Sequence, residues 1–166
     1  ILSGPPGAGK STVAPLVAAV GDPSVRLESD WFWTTFVNGF VEPWLPAADA
    51  QNRAVLRAAI AAASALADGG IRVVLDGLVG PWMIDVITDE LDRRGQAADY
   101  VILRPPLDVC LARAAARGDD PPRVPGHPPL TDVDAIRHMW NEFAELGSFE
   151  RHVIDNGAWS AERCAT

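Results

Sequence analysis

The chain has 166 residues, a formal net charge of −8 and 48% hydrophobic residues. This length and composition suit one globular domain, and we expect residues 1–166 to form it. The negative net charge argues against a protein that binds nucleic acid by neutralising phosphates, because that mode of binding needs clustered lysine and arginine.

Other classes of protein are disfavoured by what the chain lacks. No run of 18 apolar residues occurs and no signal peptide is visible, so we expect a cytoplasmic protein without a membrane span. The chain starts at Ile1, inside an apolar run, which leaves open whether residues precede it. Two cysteines, Cys110 and Cys164, are too few for a disulfide framework, and the apolar neighbours of Cys110 at helical spacing predict a packing role. The sequence does not indicate an oligomeric state.

Apolar periodicity predicts strands that alternate with helices along the chain. The predicted strands cover residues 1–3, 24–29, 71–76, 98–103 and 152–155. The predicted helices cover residues 10–20, 47–67, 81–94, 107–117 and 132–146, and Ser160 could cap a last short helix. This alternation indicates an α/β fold, with a parallel sheet and helices on both faces. Ligands of such folds bind beyond the carboxyl ends of the strands, where this chain carries "GPPGAGKST", "ESDWFW", "DGLVGPW", "RPP" and "DNGAW".

The first of these segments is the most specific motif. Residues 4–11 match the phosphate-loop pattern G-x-x-x-x-G-K-[ST] in full, between a predicted strand and a predicted helix. Glycines let successive N–H groups turn towards a phosphate, and the dipole of the following helix adds positive potential there. We therefore expect nucleotide contacts from Gly4, Gly7, Ala8, Gly9, Lys10, Ser11 and Thr12.

Lys10 is the only lysine, beside thirteen arginines. A lysine is a compact charge on a flexible stem that can reach the β- and γ-phosphates, whereas the planar fork of arginine would not fit so tightly wrapped a loop. Ser11 offers a hydroxyl to Mg²⁺, and Asp76, at the end of the apolar "VVLD" segment, is a second candidate for holding this ion, through water. The alternative for Asp76 is capping of the next turn.

Asp30 follows the second predicted strand and is the candidate general base for a substrate hydroxyl, with Glu28 as a weaker candidate. The alternative is that Asp30 only caps a helix that begins at "WFWTTF". Trp31, Trp33 and Phe36 fit either core packing or a pocket for a partly apolar substrate.

Arg113 and Arg117 lie four residues apart on one predicted helical face, before a Pro-rich segment that contains Arg123. We expect residues 113–130 to form a mobile lid whose arginines neutralise phosphate charge, unless they belong to a solvated helix face. His127 is expected to be a loop residue.

Together these segments resemble the small P-loop kinases that include chloramphenicol phosphotransferase, gluconate kinase and the zeta toxins. The resemblance rests on "GPPGAGKST", "ESDWFW", "VVLDG" and above all "LDVCLARAAARGDDPPR". It implies a P-loop NTPase three-layer sandwich with strand order 2-3-1-4-5, Asp30 as general base, Arg113 and Arg117 in the lid, and the segment after "HVIDN" beside the adenine.

The resulting hypothesis is an enzyme that transfers the γ-phosphate of ATP, with Mg²⁺, to a hydroxyl of a small molecule. Lys10, Asp30, Arg113 and Arg117 would be its catalytic residues, and Arg117 and Arg123 would also contact the nucleotide. A nucleotide or polynucleotide kinase and a non-catalytic ATP-binding module are the alternatives. A GTPase is excluded because its guanine-reading motif needs a second lysine.

Overall fold

A computed structural model describes residues 1–118 and 130–166 of the chain. Its sheet contains five strands, all parallel, in the order β2-β3-β1-β4-β5, which confirms the predicted fold class and strand order. The strands are β1 (Leu2–Ser3), β2 (Ser24–Glu28), β3 (Arg72–Asp76), β4 (Val101–Leu103) and β5 (Val153–Ile154). Glu28 at the end of β2 is in register with Asp76 at the end of β3, so these two acids reach the same edge of the sheet.

Helices connect the strands and cover both faces of the sheet. The described α-helices are α1 (Lys10–Ala18), α2 (Asp30–Trp33), α3 (Asp49–Asp68), α4 (Ile84–Asp92), α5 (Leu107–Ala115), α6 (Val133–Glu142) and α7 (Ala161–Ala165). Short 3₁₀ helices cover Pro46–Ala48, Pro81–Met83 and Gly147–His152. No helix in the described part of the chain is long and apolar enough to cross a membrane.

The sequence placed the elements correctly and several of their ends wrongly. Pro81 opens a 3₁₀ turn rather than the α-helix itself, and α6 stops at Glu142, four residues before the predicted end at residue 146. His152 ends a 3₁₀ helix instead of starting β5. The predicted cap of α7 is confirmed, because the Ser160 hydroxyl accepts a hydrogen bond from the Arg163 N–H at 3.3 Å.

The core lies on both faces of the sheet because successive strand residues point to opposite sides. Val74 packs with α1 and α7 on one face, whereas the next residue, Leu75, packs with α3 and α4 on the other. A third cluster joins Ile102 of β4 to Phe143, which follows α6. Cys110 is fully buried against Ala114 and Ile136, which confirms its predicted packing role.

Phe143 supports one wall of the site described below, since its ring lies 5.3 Å from the ring of Trp82, centroid to centroid, in an edge-on arrangement. Its side chain is fully buried. We expect Phe143→Ala to lower the free energy of unfolding by about 3–5 kcal/mol, the usual cost of removing a buried aromatic ring. Chemical denaturation would measure this loss. Val37→Ala, at a position that is 90% exposed, is the control and should change stability by less than about 0.5 kcal/mol. Equal losses in the two variants would contradict the assigned core.

Candidate active site

A cleft of about 860 Å³ opens at the carboxyl ends of β1, β2 and β3. Its floor is formed by the phosphate loop and the start of α1, and its sides by residues that follow β2 and β3. The predicted site residues Gly7, Gly9, Lys10, Ser11, Asp30, Asp76 and Arg117 all line it, as does Glu28. Residues from the segments after β4 and β5 line a different cavity. Pro105, Pro106 and Asp155 lie in a separate hollow of about 390 Å³.

At two tightly packed positions, the phosphate loop has a backbone conformation that only glycine adopts without strain. Gly4 and Gly7 have φ angles of 140° and 80°. A Cβ atom on Gly4 would lie 2.1 Å from the carbonyl oxygen of Leu103, and one on Gly7 would lie 2.3 Å from that of Cys110. Both neighbours are backbone atoms of β4 and α5, so they cannot move aside easily. The loop is thus packed closely between β4 and α5.

Lys10 is half-buried and folds back over the loop. Its Nζ donates hydrogen bonds to the carbonyl oxygens of Gly4 at 2.7 Å and Pro5 at 3.1 Å. Burial lowers the pKa of Lys10, and the nearby carboxylates of Asp30 and Asp76 act in the opposite direction. The ammonium group is therefore held at the cleft floor in a place where its charge is only partly compensated.

The remaining predicted loop residues differ in position. Ser11 lines the cleft, whereas Gly4, Ala8 and Thr12 lie outside its lining. The Ala8 side chain is fully buried, and its carbonyl oxygen accepts a hydrogen bond from Asn156 Nδ2 at 2.9 Å. Ala8 therefore anchors the back of the loop to the segment after β5.

Asp30 is the first residue of α2 and lies in the same cleft as Lys10. The N-cap position belongs to Ser29, and no side chain caps the helix there, so the structure does not support a capping role for Asp30. Asp30 is an exposed residue of the cleft lining. Partial desolvation in the cleft raises the pKa of Asp30, and the charge of Lys10 opposes the rise.

Asp76 is buried and carries a partner that sequence reasoning missed. Arg26 Nε donates to one Asp76 oxygen at 2.8 Å and an Arg26 terminal nitrogen donates to the other at 2.9 Å. Arg26 also forms an ion pair with Glu28 at 2.9 Å. The hydrogen bond to Asp76 raises the pKa of Arg26, so this cation stays charged. The signal in the sequence was an arginine two residues before Glu28 on a strand, but only the parallel pairing of β2 with β3 brings it to Asp76.

These contacts set how the residues present would hold Mg²⁺. Ser11 and Asp76 both line the cleft, and a hydroxyl and a carboxylate are the oxygen donors that this ion prefers. Within residues 1–118 and 130–166, no three His, Cys, Asp or Glu side chains group into a metal site. The residues therefore fit an ion that takes most of its ligands from water and phosphate, as Mg²⁺ commonly does.

The two predicted lid arginines occupy different places. Arg113, on α5, donates to the carbonyl oxygens of Asn156 at 3.2 Å, Gly157 at 3.4 Å and Ala8 at 3.4 Å. It ties α5 to the back of the phosphate loop. Arg117 lines the cleft near Lys10, where its charge helps to lower the lysine pKa. Arg123, His127 and most of the predicted lid lie outside the described residues.

Asn156 is a further residue that sequence reasoning did not single out. Its side chain is buried beside Gly9, and its Oδ1 has no hydrogen-bond partner within residues 1–118 and 130–166. It was missed because a single asparagine after a short strand carries no pattern; only the fold brings it against the loop.

The aromatic residues near Asp30 divide between cleft and surface. Trp33 lines the cleft, and its Nε1 donates to Asn52 Oδ1 at 3.3 Å. Trp31 and Phe36 lie outside the cleft lining and are partly exposed. The chain instead adds Phe40, Trp44 and Trp82 to the cleft, which sequence reasoning missed because they come from irregular or distant segments.

Comparison with known proteins places the chain in a family. A family model described as AAA domain matches residues 1–144. The chain belongs to the AAA domain family. A search of curated proteins gave no significant match.

Solved structures similar to this AAA domain protein differ widely in sequence from it. The tunicamycin resistance protein of Deinococcus radiodurans has a TM-score of 0.67 at 20% identity, over 99% of this chain and 88% of that one. A chain of the Pnkp1/Rnl/Hen1 RNA repair complex has a TM-score of 0.61 at 19% identity, over 85% of this chain and 42% of that one. The structure of APE1195 has a TM-score of 0.56 at 21% identity, over 86% of this chain and 89% of that one. These likenesses establish a P-loop NTPase-like fold and leave the narrower kinase group open.

We expect Lys10→Ala and Lys10→Arg each to weaken ATP binding strongly. Alanine removes the charge that faces the phosphates, and arginine cannot occupy the space beside Gly4 and Pro5. Calorimetric titration with ATP and Mg²⁺ would measure the loss. Arg93→Ala, which removes an exposed ion pair with Glu90 on α4, is the control and should bind ATP normally. Normal ATP affinity in Lys10→Arg would refute the assigned loop function.

A second expectation concerns Arg26. Arg26→Gln leaves Asp76 buried without its ion-pair partner, so we expect a loss of stability of about 3–5 kcal/mol. If Asp76 can face Mg²⁺, this ion should raise the melting temperature of the variant more than that of the wild type. Arg104→Gln is the matched control, because Arg104 makes a similar two-point contact with Glu150 away from the cleft. Equal effects of Mg²⁺ on both variants would contradict a metal-facing Asp76.

Proposed function

We propose that this AAA domain protein transfers the γ-phosphate of ATP to a hydroxyl group of a small molecule. The observation that carries the proposal is the placement of Lys10 and Asp30 in one cleft, close enough for each charge to shift the pKa of the other. A cation for the phosphate and a candidate base for an alcohol are the two groups that such a transfer needs.

In the proposed reaction, the acceptor oxygen forms a bond to the γ-phosphorus as the bond from that phosphorus to the β,γ-bridging oxygen breaks. The hydroxyl proton passes to the Asp30 carboxylate, and ADP leaves. Lys10 and the loop N–H groups would compensate phosphate charge, and Arg117 would add a further positive charge from the cleft side. Arg113 would act indirectly, by fixing the loop through Ala8.

Mg²⁺, when bound with the nucleotide, would neutralise charge between the β- and γ-phosphates. The Ser11 hydroxyl would be its ligand from the loop. Asp76 would hold it through water or after release from Arg26, because Arg26 now occupies both carboxylate oxygens. Arg123 remains a proposed nucleotide contact from the predicted lid.

The raised pKa of Asp30 supports a role as base. A carboxylate of higher pKa is a stronger base and accepts a proton more readily. The partial desolvation that raises this pKa also makes the ionised form less favourable in the folded than in the unfolded chain, so above the unfolded pKa Asp30 should reduce stability. A residue retained at a cost to stability is typical of a functional site.

Two other functions use the same loop. A nucleotide or polynucleotide kinase would need a cleft that accepts a second phosphate-bearing molecule, and the many acids on the cleft wall disfavour it. The similar fold in an RNA repair complex therefore does not decide the acceptor. A non-catalytic ATP-binding module would need the loop but neither Asp30 nor an acceptor space beside it.

The decisive experiment is Asp30→Asn. If Asp30 is the base, phosphate transfer should fall by roughly 10²–10⁴-fold, the usual size of general-base catalysis, while ATP affinity is retained. Because the neutral amide does not carry the cost of a partly desolvated charge, the variant should also be more stable than the wild type at pH 7. Substrate-dependent ADP release over a panel of hydroxylated metabolites and antibiotics would measure transfer, and thermal unfolding would measure stability.

The matched control is Asp134→Asn, since Asp134 also lies in the first turn of a helix, α6, but is exposed outside the cleft lining. This variant should transfer phosphate far better than Asp30→Asn. Unchanged turnover in Asp30→Asn would leave the transferase proposal without its base and would favour the binding module.

A further inference from the structure

Besides the phosphate loop, the cleft lining contains a set of aromatic and acidic residues. We call this set the acceptor half; it comprises the aromatic residues Trp33, Phe40, Trp44 and Trp82 and the acids Glu42, Asp49 and Glu142. Trp44 and Trp82 are 64% and 48% exposed. Large aromatic rings that stay exposed in a concave site offer binding surface to a ligand rather than to the core.

The acids of the acceptor half have no compensating partner among the residues that the structure describes. Glu42, Asp49 and Glu142 form no hydrogen bond or ion pair through their carboxylates in the part of the chain that the structure describes. Glu28 is paired with Arg26, and Asp132 accepts from the Ala135 N–H at 2.7 Å as the cap of α6. The positive residues of the cleft lining, Lys10 and Arg117, belong to the phosphate end.

This distribution of charge should favour binding of a cationic acceptor over an anionic or a neutral one. A bound triphosphate takes up the cations at its own end, which leaves the acceptor half negative. A second anion would then meet uncompensated carboxylates on the wall, whereas an ammonium group would be attracted by them and could lie on the face of a tryptophan ring. A neutral polyol would lack both the attraction and the apolar surface.

We propose that the acceptor is a hydroxyl-bearing amine, with an ammonium group and an apolar or aromatic part. The ammonium group would lie among Glu42, Asp49 and Glu142, the apolar part would stack on Trp44 or Trp82, and the hydroxyl would face Asp30. The proposal rests on the proposed phosphotransferase function and narrows its substrate class.

The first test measures binding alone, so that it does not depend on catalysis. Three related probes would be titrated against the full chain, with tryptophan fluorescence as the readout: phenylalaninol, a cation; N-acetylphenylalaninol, its neutral form; and 3-phenyllactate, an anion. We expect phenylalaninol to bind about tenfold more tightly than the neutral probe, within the range of a cation–π contact aided by carboxylates, and 3-phenyllactate to bind least. Added salt should weaken only the binding of the cation.

Variants of the acceptor half test which residues produce the preference for the cationic probe. The double variant Glu42→Gln, Glu142→Gln should remove most of the preference for the cation while it leaves the binding of the neutral probe similar. Glu145→Gln is the matched control, because Glu145 is exposed but lies outside the cleft lining. Equal binding of the charged and acetylated probes, or an unchanged preference in the double variant, would overturn the proposal.

The second test measures γ-phosphate transfer to hydroxylated amines, their N-acetyl forms and the corresponding acids. Transfer that favours the amines supports both proposals. Transfer that favours neutral or anionic alcohols would overturn the substrate class and leave the phosphotransferase function standing. Selective binding of amines without transfer to any alcohol would overturn the phosphotransferase function alone.

Discussion

Lys10 puts a positive charge at the floor of a cleft, withdrawn from bulk water, and the surrounding residues are arranged around that charge. Two loop carbonyl groups accept from its ammonium group, and Asp30 and Asp76 compensate it at longer range. Its lowered pKa means that the charged form is less favourable in the fold than in the unfolded chain. A phosphate would supply the missing negative charge, so the same imbalance that reduces stability favours an anionic ligand.

The position of Lys10 depends in turn on how the loop is wedged. Gly4 and Gly7 bring the loop against the backbone of β4 and α5, while Asn156 and Arg113 hold the carbonyl group of Ala8 from behind. The loop is thus connected to residues from the far end of the chain. A residue such as Arg113 can therefore matter for phosphate binding without facing the phosphate, which differs from the direct role that the sequence suggested.

Sequence reasoning predicted most of the fold because its signals are local. Apolar runs, the glycine-rich loop and helix-ending residues each act within a few positions, so the order of strands and helices could be read directly. The end of α6 at Glu142 could not, because apolar residues continue at helical spacing through Phe143 and Leu146, which are buried in the core beyond the helix. The strand order was implied by family resemblance and not by periodicity, since parallel pairing joins residues far apart in the chain.

The part of the candidate site that could be predicted from the sequence is the part formed by residues at strand ends. Lys10, Ser11, Asp30 and Asp76 follow strand ends, and parallel strands bring such residues to one edge. The partnership of Arg26 with Asp76 was not predictable, because it joins two strands whose pairing the sequence does not state. The acceptor half was not predicted for a related reason: its residues come from separate stretches of chain, including the first residue of α3 and the last residue of α6.

Charge is divided within the cleft in a way that fits two chemically different ligands. Lys10 and Arg117 lie near each other in the cleft, and the acceptor half adds tryptophan rings and carboxylates that have no partner among the described residues. A protein that only bound ATP would gain nothing from the second set, since acids close to a triphosphate weaken its binding. Their presence beside Asp30 is better explained by a second ligand that is attracted to negative charge and brings its hydroxyl group to the base. In the proposed transfer, this division of the cleft would bring the base, the phosphate loop and the aromatic wall together in one reaction.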